Sequence, residues 1–443
     1  MAPRFRDYAE MIAELFRTKT RDVSVHARHY LAGLLSQIPR KNMERMGEVL
    51  ADTKHEDLQN FLSDSPWGTA RVWQWVGQAA NTHLGGRPDT MLLIDESGFA
   101  KKGPKSAGVA RQHNGRLGKT DNCQVGVFSA LALGSRVTLV GARLFLPDEW
   151  VEDRPRCLAA GIPEADIQAR SKLDLARELV AEAQANQVAF AWVGVDSFYG
   201  RDQDLLCWLA DTTPGFVADV PCDLLVWTHA PTAKTRPAPL RAAGAERVDA
   251  VAARWRKAGS GQAVRLRGGE NGPVRVRVWA QQVWVWPAGQ AAPRCWWLVV
   301  RPEPDGTNKY TLCNAPARTS LARLARLQGQ RHFIERGLQD GKSELGMSQY
   351  QARKWRAWHH HMALVGLAMF FVFTERLRQK ERHPLLSTRD VVELLDWYFC
   401  GARGLAEIEA VVQRRLDRRA RLAAAAAARA NKLARKAQIK VPK

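Results

Sequence analysis

Cysteine is scarce in this chain and carries no pattern. The seven residues (Cys123, Cys157, Cys207, Cys222, Cys295, Cys313 and Cys400) are odd in number, widely scattered and nowhere spaced as C-x-x-C. Neither a disulfide framework nor a zinc module is indicated, and the thiols are expected to be buried in a reducing compartment. Long apolar runs are missing too. The longest, MALVGLAMFFVF at 362–373, is short of the roughly 20 residues that a bilayer requires. The opening stretch MAPRFRDYAEMIAELF has no apolar core of the signal-peptide kind. A soluble, cytoplasmic chain without membrane association is the expectation.

Acid is in short supply as well. Asp and Glu total 45 against 66 Lys and Arg, which gives a formal net charge of +21 and a pI near 10.1. A field of that sign favours polyanions, and nucleic acid is the leading partner. What is plentiful is core-forming material: 46% of the 443 residues are hydrophobic, enough for roughly two to four domains of about 100–200 residues each.

Residues 1 to about 82 carry helical spacing, in YAEMIAELF, ARHYLAGLLSQI, EDLQNFL and ARVWQWVGQA, and form a helical N-terminal domain that suits either DNA binding or a structural bundle. At GGRPDTMLLIDES the pattern changes, with Gly-Gly and Pro before a buried strand. Two more strand-like runs follow, NCQVGVFSALAL and RVTLVGARLFLP, joined by the tight turn GSR, then a helix, SKLDLARELVAEAQAN, and another apolar strand, VAFAWVGVD. Three strands, a helix and a strand match the opening of a ribonuclease H-like α/β fold, in which the first and fourth of these strands lie side by side. Residues 228–246 are rich in Pro and Ala and read as a linker. QAVRLRGGENGPVRVRVWAQQVWVWPAG alternates on both sides of a Gly-rich turn, a hairpin signal. One of its faces carries Arg265, Arg267, Arg275 and Arg277. Like charges across a strand pair repel, so these arginines either fan into solvent or meet a polyanion. From 319 onward the pattern is helical, ending in a basic, Ala-rich tail.

Asp95 and Asp196 are each expected to close an apolar strand. If those strands are neighbours, the two carboxylates converge and need a cation; Mg²⁺ prefers carboxylate oxygen and water, and a two-metal site can hold both oxygens of an in-line phosphodiester displacement. A third ligand is sought on a helix, and RHFIERGLQDGKSELG offers Glu335, Asp340 and Glu344. At 100° per residue, Arg331, Glu335 and Lys342 lie within about 60° of one another, beside an apolar stripe of Ile334, Leu338, Gly341 and Leu345. A carboxylate between an Arg and a Lys suits a metal ligand with phosphate-binding companions. Arg331 to Glu335 is also an ordinary i,i+4 ion pair.

These stretches resemble the DDE-type insertion-sequence transposases, in particular the insertion sequence 701 branch. IDESGFAKKGPKSAGVARQHNGRLGKTDNCQV, RLFLPDEW with AGIPEA, VGVDSFYG, and IERGLQDGKSELGMSQYQARKWRAWHHHMAL carry the likeness, over roughly residues 40 to 375. The resemblance implies a ribonuclease H-like catalytic core whose acidic triad is Asp95, Asp196 and Glu335, working with Mg²⁺, for which Mn²⁺ substitutes. The related Y-x2-R-x3-E-x6-K signature falls on Arg331, Glu335 and Lys342. Two positions depart from it: Gln328 stands at the tyrosine and His332 where a tryptophan is usual beside the arginine, which bears on how the DNA end is gripped. The implied division is a helical N-terminal DNA-binding domain (1–85), a first part of the core (86–215), a β-rich insertion (216–310), a second part of the core (311–400) and a basic helical tail (401–443). The implied partners are double-stranded DNA, as terminal inverted repeats and as target, and a second copy on DNA, with the protein at the bacterial nucleoid.

Beside Asp95, AKKGPKSAGVARQHNGRLGKT holds Lys101, Lys102, Lys105, Arg111, Arg116 and Lys119 with no acid among them. Contact with DNA phosphates near the active centre is expected, against a merely solvated hairpin. His359, His360 and His361 are consecutive, so they lack the i,i+4 spacing of a metal face and mark a helix start or a phosphate contact instead. Most of Trp279, Trp284, Trp286, Trp296 and Trp297 are expected in sheet core. Two other functions compete with transposition: a domesticated regulator that binds DNA without cutting, and a stand-alone nuclease of the same fold that cuts without joining.

Overall fold

The 3.6-residue spacing of the first 84 residues produces five helices: α1 (Ala2–Met11), α2 (Ser24–Leu34), α3 (Met43–Val49), α4 (His55–Ser63) and α5 (Thr69–Leu84). The computed structural model describes all residues except 51, 115–117, 232–243, 270–271, 288–289, 304, 384–385 and 400–443. The expected basic tail and most of the expected linker therefore lie outside the described residues. The apolar faces of α2, α4 and α5, with Leu31, Leu34, Leu58, Phe61, Leu62, Val72, Trp73 and Val76 buried, pack on the long helix Trp355–Arg378. Gly366 makes this approach possible, because a Cβ there would collide with the Trp73 indole.

After α5 the chain enters the sheet. The strands are β1 (Met91–Ala100), β2 (Ala110–Asn114), β3 (Lys119–Leu133), β4 (Arg136–Leu144), β5 (Trp192–Val195) and β6 (Phe216–Val220), then β7 (Leu225–Val226) and β8 (Glu246–Arg247), a separate pair, and β9 (Gln262–Gly269), β10 (Gly272–Val285), β11 (Arg294–Pro302) and β12 (Asn308–Cys313). Between them run α6 (Asp148–Val151), α7 (Arg154–Ala159), α8 (Lys172–Ala185), α9 (Ser197–Gly200), α10 (Gln203–Thr212) and α11 (Val248–Lys257). After them come α12 (Leu321–Gln330), α13 (His332–Glu344), α14 (Trp355–Arg378) and α15 (Thr388–Phe399). The start of α8 is fixed by a capping box in which Ser171 and Asp174 each satisfy the other's backbone N–H. The β3–β4 turn holds Gly134 at φ +61°, a conformation that a side chain would strain.

Ten strands form one mixed sheet. β3 runs antiparallel to β1 along its whole length, with β4 and β2 on its far side. On the other side of β1 come β5 and β6, both parallel, then β12, β11, β10 and β9 in antiparallel order. β6 pairs with β5, so the segment expected to open the insertion contributes instead to the central sheet, and the insertion strands extend that same sheet. The insertion also contains α11 and is not purely β.

α14 is long and apolar enough to cross a membrane, but it is almost wholly enclosed by the protein. Its histidines serve packing. His360 stacks on Trp67 with centroids 3.7 Å apart and faces the carbonyls of Leu62 and Trp67, while His361 lies 2.8 Å from the Tyr30 hydroxyl. The phosphate contact considered for the histidine run does not hold for these two buried side chains, since their ring nitrogens are spent on the N-terminal helices and on Met347.

Candidate active site

Register sets the site. β1 and β5 are paired at Leu93 and Gly194, so two residues further along each strand Asp95 and Asp196 stand level. β5 and β6 are paired at Val195 and Ala218, so one residue further Asp196 stands level with Asp219. Three adjacent strands thus bring three aspartates into one row. Asp95 does not close its strand, contrary to expectation: β1 continues to Ala100 against β3, and only the parallel ladder to β5 stops at Leu93. Asp196 does follow the end of β5 and caps α9, with its Oδ1 accepting from the Phe198 and Tyr199 N–H groups. Gly200 lets α9 settle on β6, since a Cβ there would strike the Asp219 carbonyl.

Arg331, at the start of α13, reaches into this row. It is 6% exposed; its Nε lies 2.7 Å from Asp219 Oδ2, its Nη1 lies 3.5 Å from Asp95 Oδ2, and its Nη2 donates to Glu335 Oε1. Glu335 Oε2 is 3.3 Å from His332 Nδ1. The apolar stripe of α13 is buried as its spacing requires, with Ile334, Leu338 and Leu345 in the core, so that Arg331 enters the row of aspartates while Glu335 stays at its exposed rim. Asp340 instead receives a hydrogen bond from Thr388.

The electrostatics follow from this crowding. Burial pushes the Asp95 carboxyl up to about 7; Arg331 opposes the rise, and Asp196 and Glu335 add to it. Burial also raises Asp196, against the pull of Arg331 and the α9 N–H groups. Burial alone would raise Glu335, but His332 and Arg331 prevail and hold it at about 2. Burial works to neutralise Arg331, and the fields of Asp219, Glu335, Asp95 and Asp196, in that order, outweigh it and keep the guanidinium charged. Its Nε and Nη1 nevertheless lack a linear acceptor, and the buried Tyr199 hydroxyl nearby has none either. The donor set is oxygen only, which suits Mg²⁺ or Mn²⁺. Among the described residues no three His, Cys, Asp or Glu side chains form a ready metal cage, and Glu335 is engaged by Arg331 and His332.

The basic residues divide. Lys102, Lys105, Arg111 and Lys119 are exposed. Lys101 turns inward, with Nζ 3.3 Å from the Tyr350 ring centroid and donating to the Tyr350 carbonyl, and burial brings it down to about 7. Lys342 is buried too, and its Nζ donates to the Gly98 carbonyl at 2.9 Å. Each ammonium is thus engaged with backbone in the DNA-free protein, that of Lys101 with the segment after α13 and that of Lys342 with β1. Arg116 lies outside the described residues. In the hairpin Arg265 pairs directly with Arg275 across the β9–β10 ladder, and Arg265, Arg275 and Arg277 are exposed; Arg267 pairs with Val274, and its side chain is not among those described. Trp279, Trp286 and Trp296 are buried and Trp284 and Trp297 half-buried, in keeping with sheet core.

Sequence reasoning passed over Asp219. The signal was present, since an acid interrupts the apolar strand FVADV, but only strand register puts it beside Asp196. Gln328, noted as a departure at a tyrosine position, is 1% exposed and donates to Thr311 Oγ1 at 2.9 Å.

The profile of the DDE superfamily endonucleases matches residues 10–276, a segment that includes Asp95, Asp196 and Asp219 and stops short of Glu335. A "Probable transposase for insertion sequence element IS701" from Microchaete diplosiphon is 26% identical over 336 residues, which cover 74% of this chain and 77% of that protein. With the profile spanning more than half of its length, the chain belongs to the DDE superfamily endonucleases, and it is similar within them to the IS701 transposase.

Proposed function

We propose that this protein is a DNA transposase that binds the terminal inverted repeats of its own element, cleaves phosphodiester bonds there, and joins the freed 3′-hydroxyl ends to target DNA. The observation that carries it is the convergence of Asp95, Asp196 and Glu335 on Arg331 at the edge of the β1–β5 ladder. The strand order β4-β3-β1-β5-β6, with β3 reversed, supports a ribonuclease H-like core, flanked by the N-terminal helices as a DNA-binding region and interrupted by the insertion.

In this reading Asp95, Asp196 and Glu335 hold divalent ions, Mg²⁺ with Mn²⁺ as substitute, which when bound polarise the scissile phosphate and activate water or a 3′-hydroxyl. The rest falls to the chain itself. Arg331 neutralises the carboxylates before loading and is positioned to meet a phosphate oxygen afterwards. The α9 N–H groups fix Asp196 in one rotamer. Lys102, Lys105, Arg111 and Lys119 hold the strand beside Asp95, and the arginines of the hairpin hold DNA further out. DNA approached by such a set releases counterions, so affinity falls steeply with salt. A dimer bridging two DNA ends is part of the same reading.

The test is a nicking and joining assay on duplex DNA carrying the element ends, with Mg²⁺, comparing the wild type with Asp95→Ala. Cutting and joining by the wild type alone is expected. Sequence-specific binding without cutting would turn the assignment to a DNA-binding regulator, and cutting without joining to a nuclease.

A further inference from the structure

The row of acids has a member that the triad leaves out. Asp219 is 5% exposed and level with Asp196 on the neighbouring strand. Its Oδ1 accepts from Thr311 Oγ1 at 2.7 Å, and its Oδ2 faces Arg331 Nε at 2.7 Å and Lys309 Nζ at 3.4 Å. Thr311 sits opposite Asp219 in the β12–β6 ladder, is fully buried, and is itself held by Gln328, whose Nε2 also reaches the Val299 carbonyl of β11 at 3.4 Å. A chain of buried polar groups therefore runs from the insertion strands through Thr311 and Asp219 to the Arg331 guanidinium, which meets Asp95 and Glu335.

Two roles are open to an acid in that place: to bind the metal, or to hold the arginine. Geometry separates them. Both Asp219 oxygens are already committed, one to a hydroxyl and one to two cations, whereas Asp95 Oδ2 meets Arg331 Nη1 at a looser 3.5 Å and Asp196 Oδ1 accepts from the backbone N–H groups of α9. We infer that Asp219 is a positioning residue: held by Thr311 and Gln328, it anchors the Nε side of Arg331 so that the guanidinium stays at the rim of the Asp95, Asp196 and Glu335 set. Without that anchor the guanidinium moves fully onto those three carboxylates and competes with the divalent ion. Gln328 in place of a tyrosine thereby gains a task, as the amide that fixes Thr311.

The inference rests on the metal role proposed for the triad, and the experiment keeps the two apart. Mn²⁺ binding to the full-length protein is measured by calorimetry and by loss of the free-ion electron paramagnetic resonance signal, for the wild type, Asp219→Asn, Arg331→Gln, the double variant and Asp95→Asn. Asparagine keeps the acceptor for Thr311, so thermal unfolding of Asp219→Asn controls for misfolding. Asp219→Asn is expected to weaken Mn²⁺ binding about tenfold, as loss of an outer-shell partner does. Arg331→Gln is expected to bind more tightly than the wild type, and adding Asp219→Asn to it to change nothing further. A loss that persists in the double variant would make Asp219 a ligand and overturn the inference, as would a wild-type affinity in Asp219→Asn or an absence of Mn²⁺ binding in all variants. Mn²⁺ binding indifferent to Asp95→Asn would instead overturn the metal role of the triad.

Discussion

Asp95 is an acid that the folded chain does not stabilise as an anion. Its carboxyl is held near 7 by burial, with only partial relief from Arg331, so between the ordinary aspartate value near 4 and about 7 the native state binds a proton that the unfolded chain releases. For a raised acid pKa the contribution is full below the unfolded value and is lost as pH rises through the folded one. The metal-free Asp95→Asn protein is therefore expected to melt higher than the wild type at pH 8, by an increment corresponding to about 1–3 kcal/mol, and to match it at pH 4.5; thermal unfolding at the two pH values checks this. An equal shift at both would mean that the site carries no such anionic strain. On the proposed function the same substitution is expected to abolish cleavage, a stability gain at the expense of activity. At this scale the sequence was informative about single acids and silent about their company. Asp95 and Asp196 were legible because each follows an unbroken apolar run, and Glu335 because of its helical phase with Arg331. Asp219 was not, since being level with Asp196 depends on pairing between β5 and β6, which no local pattern encodes. The inward turn of Lys101 and Lys342 was not legible for the opposite reason: a lysine looks alike in sequence whether it meets solvent or bends back onto a backbone carbonyl.

Among the elements, the basic segment between β1 and β3 separates into exposed and inward-turned cations. Replacing Lys102 and Lys105 together by alanine should reduce the salt dependence of DNA binding by roughly two counterions and weaken binding uniformly across sequences, while Lys101→Met should leave the slope unchanged. Fluorescence anisotropy over a range of salt concentrations distinguishes them, and an equal loss of slope in both would place Lys101 on DNA after all. Helix α14 gives a second prediction. Burial lowers His360 to about 4 and His361 to about 3, so below the ordinary histidine value of about 6.5 the unfolded chain takes up protons that the folded one refuses. Stability should fall as pH drops from about 6.5 towards 4, by roughly 1.4 kcal/mol per pH unit for each histidine. Denaturant unfolding at a series of pH values across that window checks this; a flat stability profile between pH 6.5 and 4 would contradict it. The helices, the hairpin and the first strands were legible in periodicity and turn chemistry. The extra strand β2 was hidden inside a segment that reads as charge, and α11 inside one that reads as a β-rich insertion.

For the whole molecule, the boundary expected near residue 85 marks a change of secondary structure within one continuous core, because α14 is shared by the N-terminal helices and by β4. Gly366→Ala, which drives a Cβ into Trp73, should thus destabilise both regions in a single transition, by about 1–3 kcal/mol; a loss confined to the N-terminal helices in hydrogen exchange would show that they unfold separately. The insertion is joined to the same sheet through β12 and β6, and Thr311 carries that joint to Arg331, so the outlying strands and the acid row form one mechanical unit. The central claim is that Asp95, Asp196 and Glu335 share a divalent ion once DNA is bound. Anomalous scattering from Mn²⁺ in crystals of the protein with element-end DNA tests it most directly. A peak bounded by those three carboxylates is expected, with Glu335 released from Arg331; a peak that excludes Glu335, or Mn²⁺ found only elsewhere on the protein, would rule the shared site out.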